Sequence, residues 1–239
     1  SAALVIDSLD PQRYEVVPIG ISREGRWLSS PRALQLLRER TGLEAETECV
    51  LVPEPNRQGL MVVSGTGDPV APLDVVFPLV HGTYGEDGTL QGLLELADLA
   101  YVGAGVLGSA LGMDKGVFKD VMRANGIPTV ESMIVLRSQI EQDISAVVQR
   151  ARDLAPFPLF IKPANLGSSV GITRCVSPSD LVEGLIEAAR FDRRVLVERG
   201  IDAIECEVSV LGNENPIASV PGEIRPVEDF YTYSAKYLT

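Results

Sequence analysis

The sequence is poor in histidine and cysteine, and this scarcity excludes several kinds of site. It has one histidine, His81, and three cysteines, Cys49, Cys175 and Cys206, with no CxxC pair. An odd number of cysteines without such spacing excludes a disulfide framework and a cysteine-based zinc site. Free cysteines are typical of a reducing compartment, so we expect a cytoplasmic protein.

The sequence also lacks a long hydrophobic run. Residues 73–80 form one of the longer apolar stretches, and Asp74 and Pro78 interrupt it. A membrane-spanning helix needs about 20 consecutive apolar residues. We therefore expect no membrane partner.

Positive charge is in deficit as well. Lys and Arg number 21 against 33 Asp and Glu, which gives a net charge of -12 and a pI near 4.6. Non-specific binding to nucleic acids or anionic membranes requires an excess of positive charge, so we exclude nucleic acid as a partner. An anionic ligand would need a locally basic pocket.

Apolar residues are abundant enough for a sizeable core. They make up 45% of the 239 residues, which suits one large domain or two to three small ones. The nearly apolar segment 73–80 predicts a central parallel strand buried on both faces. A polar loop, 81–89, and a helix, 90–99, follow, so the loop lies where open α/β sheets bind ligands.

The other elements follow from periodicity and from turn residues. The first part of the chain predicts a helix that ends near residue 9, strands at 14–21, 27–28 and 60–63, and a helix that begins at Ser30. The middle predicts helices at 106–125, 139–154 and 180–190 and strands at 129–136, 159–161, 170–175 and 195–198. This β-α-β-β-α-β order is typical of a two-layer α+β unit, and 204–211 and 216–224 predict an antiparallel pair.

A small loop after the strand at 159–161 has a composition suited to phosphate. Lys162 ends the strand, and the Gly/Ser-rich stretch 167–171 follows it. Glycines let the backbone turn tightly with its N–H groups converging, while the lysine supplies a compact charge. An ordinary Gly/Ser hairpin turn is the alternative, and this stretch alone does not decide between them.

Five motifs, in order along the chain, together resemble the D-alanine–D-alanine ligase family. They are HGTYGEDGTLQG at 81–92, MDK at 113–115, IKPANLGSSVG at 161–171, VPGEI at 220–224 and FYTYSAKY at 230–237. The resemblance implies an α/β protein with the ATP-grasp fold. It divides the chain into an N-terminal parallel α/β (pre-ATP-grasp) domain at 1–103, a small central α+β subdomain at 104–201 and an incomplete larger C-terminal subdomain at 202–239.

The resemblance implies ATP-dependent ligation of two D-alanines for peptidoglycan precursor synthesis. ATP phosphorylates one carboxylate to an acyl phosphate, and the amine of the second D-alanine attacks it. Cations and N–H donors are needed because charge accumulates on phosphate and carbonyl oxygens. The alternatives are a D-alanine–D-lactate or D-serine ligase and a non-catalytic nucleotide-binding module.

The resemblance also assigns ATP-binding residues. Those for phosphate, for adenine and ribose, and for the lid are Lys115, Lys162, Gly167, Ser168, Ser169, Val170, Gly171, Glu198, Arg199, Ile201, Glu205 and Lys236. Without the motif around it, Lys115 would be interpreted as a solvated helix lysine.

The resemblance also assigns substrate handling to residues in three separate parts of the chain. The catalytic candidates are Ser168, Tyr237 and His81, and Glu86 and Tyr231 are expected to support the substrate. A lid formed by the Lys236–Tyr237 region would keep water from the acyl phosphate. His81 could instead be a structural hydrogen-bonder, and Glu86 and Asp87 could cap the following helix.

Further parts of the family pattern are not found in residues 1–239. The resemblance implies a strand and a Gly-rich loop before Ser1, and Arg-x-Asp and Glu-x-Asn motifs after Thr239. The latter carry the Mg²⁺ ligands, so we expect no metal-binding residue within the sequence itself. A homodimer is implied by the resemblance alone.

Overall fold

The computed structural model describes residues 2–22, 24–29, 35–36, 39, 47–57, 59–63, 69–167 and 169–225. The chain divides into two compact units, Ser1–Ser109 and Ala110–Thr239. The helix predicted from Ser30 lies mostly outside the described residues. The division of the second unit near residue 201 remains a prediction.

An antiparallel sheet of five strands forms most of the first unit. Its strands, in sheet order, are β1 (Ile19–Ile21), β2 (Trp27–Ser29), β3 (Thr47–Leu51), β4 (Leu60–Val62) and β5 (Pro69–Ala71). The core residues Leu51 and Leu60 are buried in the same cluster as Leu94 and Leu99. The strand predicted at 14–21 is confirmed only over its last three residues, 19–21. Pro18 precedes them and has no N–H group to donate to a neighbouring strand.

The remaining elements of this unit are α1 (Ala2–Ser8), β6 (Val75–Val76), α2 (Thr89–Leu96) and β7 (Ala100–Tyr101). β6 pairs with β7 in parallel, as predicted for this segment. The prediction of a long strand buried on both faces is wrong, because β6 has two residues and Val75 is 52% exposed. Pro72 and Pro78 flank the segment and cannot donate to a ladder, which limits its length.

The second unit is built on a four-stranded antiparallel sheet with the order β10-β9-β11-β8. Its elements are α4 (Lys115–Ala124), β8 (Ser132–Leu136), α5 (Arg137–Gln142), α6 (Ile144–Leu154), β9 (Leu159–Pro163), β10 (Thr173–Cys175), α7 (Pro178–Phe191) and β11 (Arg194–Arg199). One sheet face packs on α6 and α7 through fully buried side chains such as Ile161, Leu185 and Val197. The predicted β-α-β-β-α-β arrangement is confirmed, with the first helix in two pieces.

Two helices predicted as continuous are each broken by an aspartate. The segment 106–125 forms α3 (Val106–Met113) and α4, separated by Asp114, and the segment 139–154 lies in α5 and α6, separated by Asp143. Both aspartates accept backbone N–H groups of the next helix, because a short carboxylate competes well for unpaired N–H groups at a helix start. Gly126 follows α4 with φ of 73°, the left-handed conformation in which glycine commonly ends a helix.

Four short strands complete the described part of the chain: β12 (Glu205–Glu207), β13 (Val210–Leu211), β14 (Ile217–Ala218) and β15 (Gly222–Ile224). β12 pairs with β15 and β13 with β14, both antiparallel, which confirms the predicted pairing. Among the described residues no helix is long and apolar enough to cross a membrane.

Candidate functional site

The sheet face opposite α7 carries the polar side chains of the candidate site. Cross-strand register puts Ile134, Leu196 and Lys162 in one row, and Glu198 lies two residues beyond Leu196 on the same face. α4 lies close to this face because Gly116 has no side chain. A Cβ at Gly116 would be 2.6 Å from Ile134 Cδ1.

Glu198 is the centre of a lysine cluster that consists of Lys115, Lys119 and Lys162. Lys162 Nζ lies 2.5 Å from Glu198 Oε2, and Lys119 Nζ contacts Glu198 Oε1. Lys115 lies near enough to Lys162 for their charges to repel. The carboxylate is buried, with 10% of its side chain exposed, so both of its oxygens are neutralised by lysines inside the fold.

The pKa values of Glu198 and Lys115 depend on this crowding. Burial opposes ionisation of Glu198, but the charges of Lys162 and Lys119 and their hydrogen bonds outweigh it and lower its pKa. Burial, followed by repulsion from Lys162, lowers the pKa of Lys115 to about 8, against the attraction of Asp114, Asp192 and Glu198. Lys115 is therefore only partly protonated slightly above neutral pH.

Lys115 also holds the stem of the Gly/Ser loop. Its backbone N–H donates to Ala164 O at 3.0 Å, and its ammonium contacts Leu166 O and, at 3.4 Å, Ala164 O. Carbonyl oxygens attract a cation but carry no formal charge. An anion entering the cluster would therefore compete with them for Lys115 on favourable terms.

Two acids strengthen this stem. Asp114 pairs with Arg194 and caps α4, while Asp192 accepts Asn165 N at 2.8 Å and Asn165 Nδ2 at 3.0 Å. Burial of Asp192 is outweighed by hydrogen bonds from Arg194 and Asn165, which lower its pKa. Arg194 O in turn accepts Ala164 N–H, so the stem is bonded to the start of β11.

The loop is a hairpin connection between β9 and β10. Ser169 and Gly171 have φ of 60° and 68°, and Val170 N–H donates to Gly167 O at 3.2 Å. A Cβ on Gly171 would lie 2.8 Å from both Phe191 and Pro163, so glycine is required there for space as well as for its backbone. The predicted antiparallel pairing of the two strands is confirmed, but the second strand begins at Thr173 and not at Val170. Phosphate binding by this loop stays a prediction.

The residues predicted for adenine and ribose begin at the end of β11. Arg199 N–H donates to Glu131 O at 3.0 Å, and Arg199 also forms an ion pair with Glu131 at 3.1 Å. Ile201 is 55% exposed and Glu205 lies on the exposed strand β12. The structure thus places Glu198 among the lysines. Among the described residues, no hydrogen bond joins Glu205 to these lysines.

His81 and Glu86 lie together in the first unit, in the loop before α2. His81 Nδ1 is 3.9 Å from Glu86 Oε1, and Glu86 Oε2 accepts Gly82 N–H at 2.5 Å. Both side chains are at least half exposed, so the histidine is accessible to a ligand. Glu86 holds the loop that carries His81 and does not bond the helix start.

Asp87 is the helix-capping acid of this loop. It accepts Tyr84 N–H at 2.9 Å and, at the first residue of α2, Thr89 N–H at 3.0 Å. Burial works against ionisation, but these hydrogen bonds prevail and lower the pKa of Asp87. Gln91, itself buried, donates to Gly85 O at 3.0 Å and fixes the loop from the helix side.

Four predicted site residues lie outside the described part of the chain: Ser168, Tyr231, Lys236 and Tyr237. In the ranges that the structure describes, no group of three or more His, Cys, Asp or Glu side chains could hold a metal ion.

Sequence reasoning missed Lys119 and Arg194, which contact Glu198 and Asp114. Two signals could have found Lys119. Its spacing of four residues from Lys115 puts both on one face of α4. The sequence also contains only four lysines, at positions 115, 119, 162 and 236, against 17 arginines. Two of the four contact Glu198, and a third, Lys115, lies nearby.

Comparison with known proteins assigns both units. A family model described as D-ala D-ala ligase N-terminus matches residues 1–104, and one described as D-ala D-ala ligase C-terminus matches residues 121–239. A D-alanine--D-alanine ligase of Heliobacterium modesticaldum is 43% identical over 99% of this chain and 64% of its own length. That of Natranaerobius thermophilus is 40% identical over 100% and 65%. The chain thus spans slightly less than two thirds of these relatives.

Solved structures agree in fold. The D-alanine-D-alanine ligase from Coxiella burnetii has a TM-score of 0.79 and 35% identity over 93% of this chain and 65% of its own. The VanG D-Ala:D-Ser ligase from Enterococcus faecalis has a TM-score of 0.85 and 31% identity over 99% and 67%. With both family models matching in order and relatives of at least 30% identity covering nearly the whole chain, the protein belongs to the D-alanine–D-alanine ligase family and has its ATP-grasp fold.

Proposed function

We propose that the protein joins two D-alanines to D-alanyl-D-alanine with ATP, through an acyl phosphate, for peptidoglycan precursor synthesis. The observation that carries this proposal is the lysine cluster around Glu198, in a chain that belongs to this family. The cluster is the locally basic pocket that a protein of net charge -12 would need for an anionic ligand.

The residues of the cluster fit a polyphosphate. Lys119 and Lys162 pair with the Glu198 carboxylate, and the Lys115 ammonium lies near enough to interact with Lys162 and Glu198. Because Arg194 pairs with Asp114, the three lysines outnumber the two remaining carboxylates, Glu198 and Asp192. The cluster adjoins the stem of a loop whose backbone turns through Ser169 and Gly171. When bound, ATP would supply the phosphoryl group that activates a carboxylate for attack by an amine.

The chain's own residues would bind and orient the nucleotide. Lys115 and Lys162 would contact phosphate oxygens, and the loop residues Gly167, Ser168, Ser169, Val170 and Gly171 would cover them. Glu198, Arg199 and Ile201 would line the adenine, and Glu205 would accept ribose hydroxyls. Glu205 lies on an exposed strand, so this role would require β12 to approach the bound ribose.

Substrate positioning is proposed for the loop before α2 and for the C-terminal lid. His81, oriented by Glu86, would hydrogen-bond a substrate group, since both side chains are accessible. Ser168 and Tyr237 would bring the lid over the reacting groups, with Lys236 reaching the phosphates and Tyr231 supporting the substrate. Exclusion of water would protect the acyl phosphate from hydrolysis.

The wider setting is proposed from the family. We infer a divalent metal, Mg²⁺, as the partner of ATP, a homodimer, and a cytoplasmic location. No group of three or more possible metal ligands occurs among the described residues.

The proposed function is tested by phosphate release from ATP in the full-length protein. We expect release to depend on D-alanine and to accompany formation of the dipeptide, with L-alanine inactive. Release that is independent of D-alanine, or equal with L-alanine, would contradict the proposal and favour a nucleotide-binding module.

D-serine as second substrate is a second candidate, because the VanG D-Ala:D-Ser ligase matches over 99% of the chain. Competition among D-alanine, D-serine and D-lactate for the second position decides between them. We expect D-alanine to dominate. A product that contains mainly D-serine or D-lactate would replace the main proposal.

A further inference from the structure

We propose that Lys119 is a positioning residue: it is the permanent counter-ion of Glu198 and thereby frees Lys162 to bind the phosphates. This inference rests on the proposed function, since it concerns how the same site receives ATP. It divides three chemically similar lysines into different tasks.

The two oxygens of Glu198 are divided between two lysines. Oε1 contacts Lys119, and Oε2 lies 2.5 Å from Lys162. Because each lysine has its own oxygen, one can leave without disturbing the other. Glu198 would remain ionised and oriented, with Oε2 open to a donor on the ligand.

The two lysines differ in their surroundings. Lys119 is the more enclosed, with 14% of its side chain exposed against 24% for Lys162, and its ammonium lies 3.5 Å from Val130 O. Lys162 is the residue before the last in β9, which ends at Pro163 and leads into the loop stem. Lys162 is therefore the lysine placed to move toward an anion at the loop, whereas Lys119 is held against the sheet.

Burial of the carboxylate makes this division necessary. A buried charge that loses its only partner is strongly destabilised, so a lone Lys162–Glu198 pair would resist separation. With Lys119 present, Glu198 keeps one ion pair when Lys162 turns to phosphate. Lys119 acts on nucleotide affinity through Glu198 and Lys162, without touching the nucleotide.

A double-mutant cycle between Lys119 and Glu198 tests the inference, with titration calorimetry of ATP and of inorganic triphosphate on the full-length protein. We expect K119M to weaken triphosphate binding at least about tenfold. K119R, which keeps the charge, should stay within about threefold of the wild type. The double variant K119M/E198Q should bind triphosphate within about twofold of E198Q, because a neutral amide in place of the carboxylate no longer detains Lys162.

Arg123→Met is the matched control, since it removes one positive charge from the same helix at an exposed position that pairs with Asp120. We expect R123M to bind triphosphate like the wild type. Thermal unfolding of every variant separates lost affinity from lost structure, and K119R carries the comparison if K119M does not fold. In that case a large loss of affinity in folded K119R would overturn the inference.

Each outcome of the cycle is decisive. Equal binding by K119M and the wild type would overturn the inference alone. A loss in K119M that E198Q does not relieve would also overturn it, because Lys119 would then contact the phosphates directly or support the fold. A wild-type protein that binds neither ATP nor triphosphate would overturn the proposed function, and the inference with it.

Discussion

Lysine and arginine have different positions in this chain. Two of its four lysines contact Glu198 and a third lies nearby, whereas the arginines Arg123, Arg190 and Arg199 form exposed ion pairs. Arginine stays charged in proteins, but a buried lysine titrates readily because its ammonium is strongly hydrated in water. Lys115, whose pKa is lowered by burial and by the charge of Lys162, is therefore sensitive to pH in a way that an arginine would not be.

If Lys115 binds phosphate as proposed, we expect ATP binding to depend on pH above neutrality. Because its pKa is about 8, it carries its charge below pH 8 and loses it above. We expect ATP affinity to fall by about tenfold per pH unit above pH 8, where the terminal phosphate, with a second pKa near 6, is already fully ionised. Calorimetric titration between pH 7 and pH 9.5 measures this.

K115M provides the control for this pH dependence. It should bind ATP more weakly than the wild type at pH 7, with a difference that narrows as the pH rises, and it should lack the decline that begins near pH 8. A wild-type affinity that is equal at pH 7 and pH 9.5 would show that Lys115 does not bind the nucleotide as its charged form.

The start of α4 is the element that joins the fold to the site. Asp114 caps this helix with Oδ1 and pairs with Arg194 through Oδ2. The next residue, Lys115, is thereby held at the loop stem. One aspartate thus orients the helix that carries two lysines of the cluster.

We expect Asp114→Ala to lower the free energy of unfolding by about 3 kcal/mol, since it removes a cap and leaves Arg194 unpaired. Asp114→Asn retains a good cap, so its free energy of unfolding should fall by about 1 kcal/mol less than that of Asp114→Ala. Asp143→Ala, which removes only the exposed cap of α6, should cost about 1 kcal/mol. Urea unfolding of the three variants measures the differences. Equal losses in D114A and D143A would contradict a structural ion pair.

Two glycines of similar φ, one in the loop and one after α4, allow backbone strain to be distinguished from steric clash by substitution with alanine. Gly171 and Gly126 have φ of 68° and 73°, but a Cβ at Gly126 meets nothing within 4 Å, whereas one at Gly171 meets Phe191 and Pro163. We expect Gly126→Ala to lower the free energy of unfolding by about 1 kcal/mol and Gly171→Ala to lower it by about 2 to 4 kcal/mol. Thermal or urea unfolding tests this. Similar losses at both positions would mean that the loop shifts to admit the methyl group.

At the scale of the whole molecule, each unit has its own hydrophobic core. Leu60 is fully buried in the first unit and Leu185 in the second, in two separate clusters. A separate core lets each unit lose stability locally.

We expect Leu185→Ala to lower the free energy of unfolding of the second unit by about 2 to 5 kcal/mol. Hydrogen-exchange protection should therefore fall in β8, β9 and α7 and stay unchanged in β3 and β4. Leu60→Ala should have the converse effect. Exchange measured by mass spectrometry on both variants provides the comparison. Protection lost equally in both units would indicate a single cooperative structure.

Much of the second unit could be predicted, because local patterns determine it. The hairpin of β9 and β10, the cap of α7 at Ser177 and the stop at Gly126 each depend on residues close in sequence. The length of the strand expected at 73–80 could not be predicted from such local patterns. Its length depends on neighbouring strands and on proline positions, which an apolar pattern does not reveal.

The sequence by itself determined the order of elements in the second unit, the Gly/Ser-rich loop after Lys162 and the resemblance carried by five motifs. The tertiary structure decided which side chains meet. Lys119 and Glu198 are 79 positions apart, and only the packing of α4 on the sheet, permitted by Gly116, brings them into contact. Local propensities act over a few residues, whereas a buried ion pair depends on how separate elements pack, so the cluster emerged only from the fold.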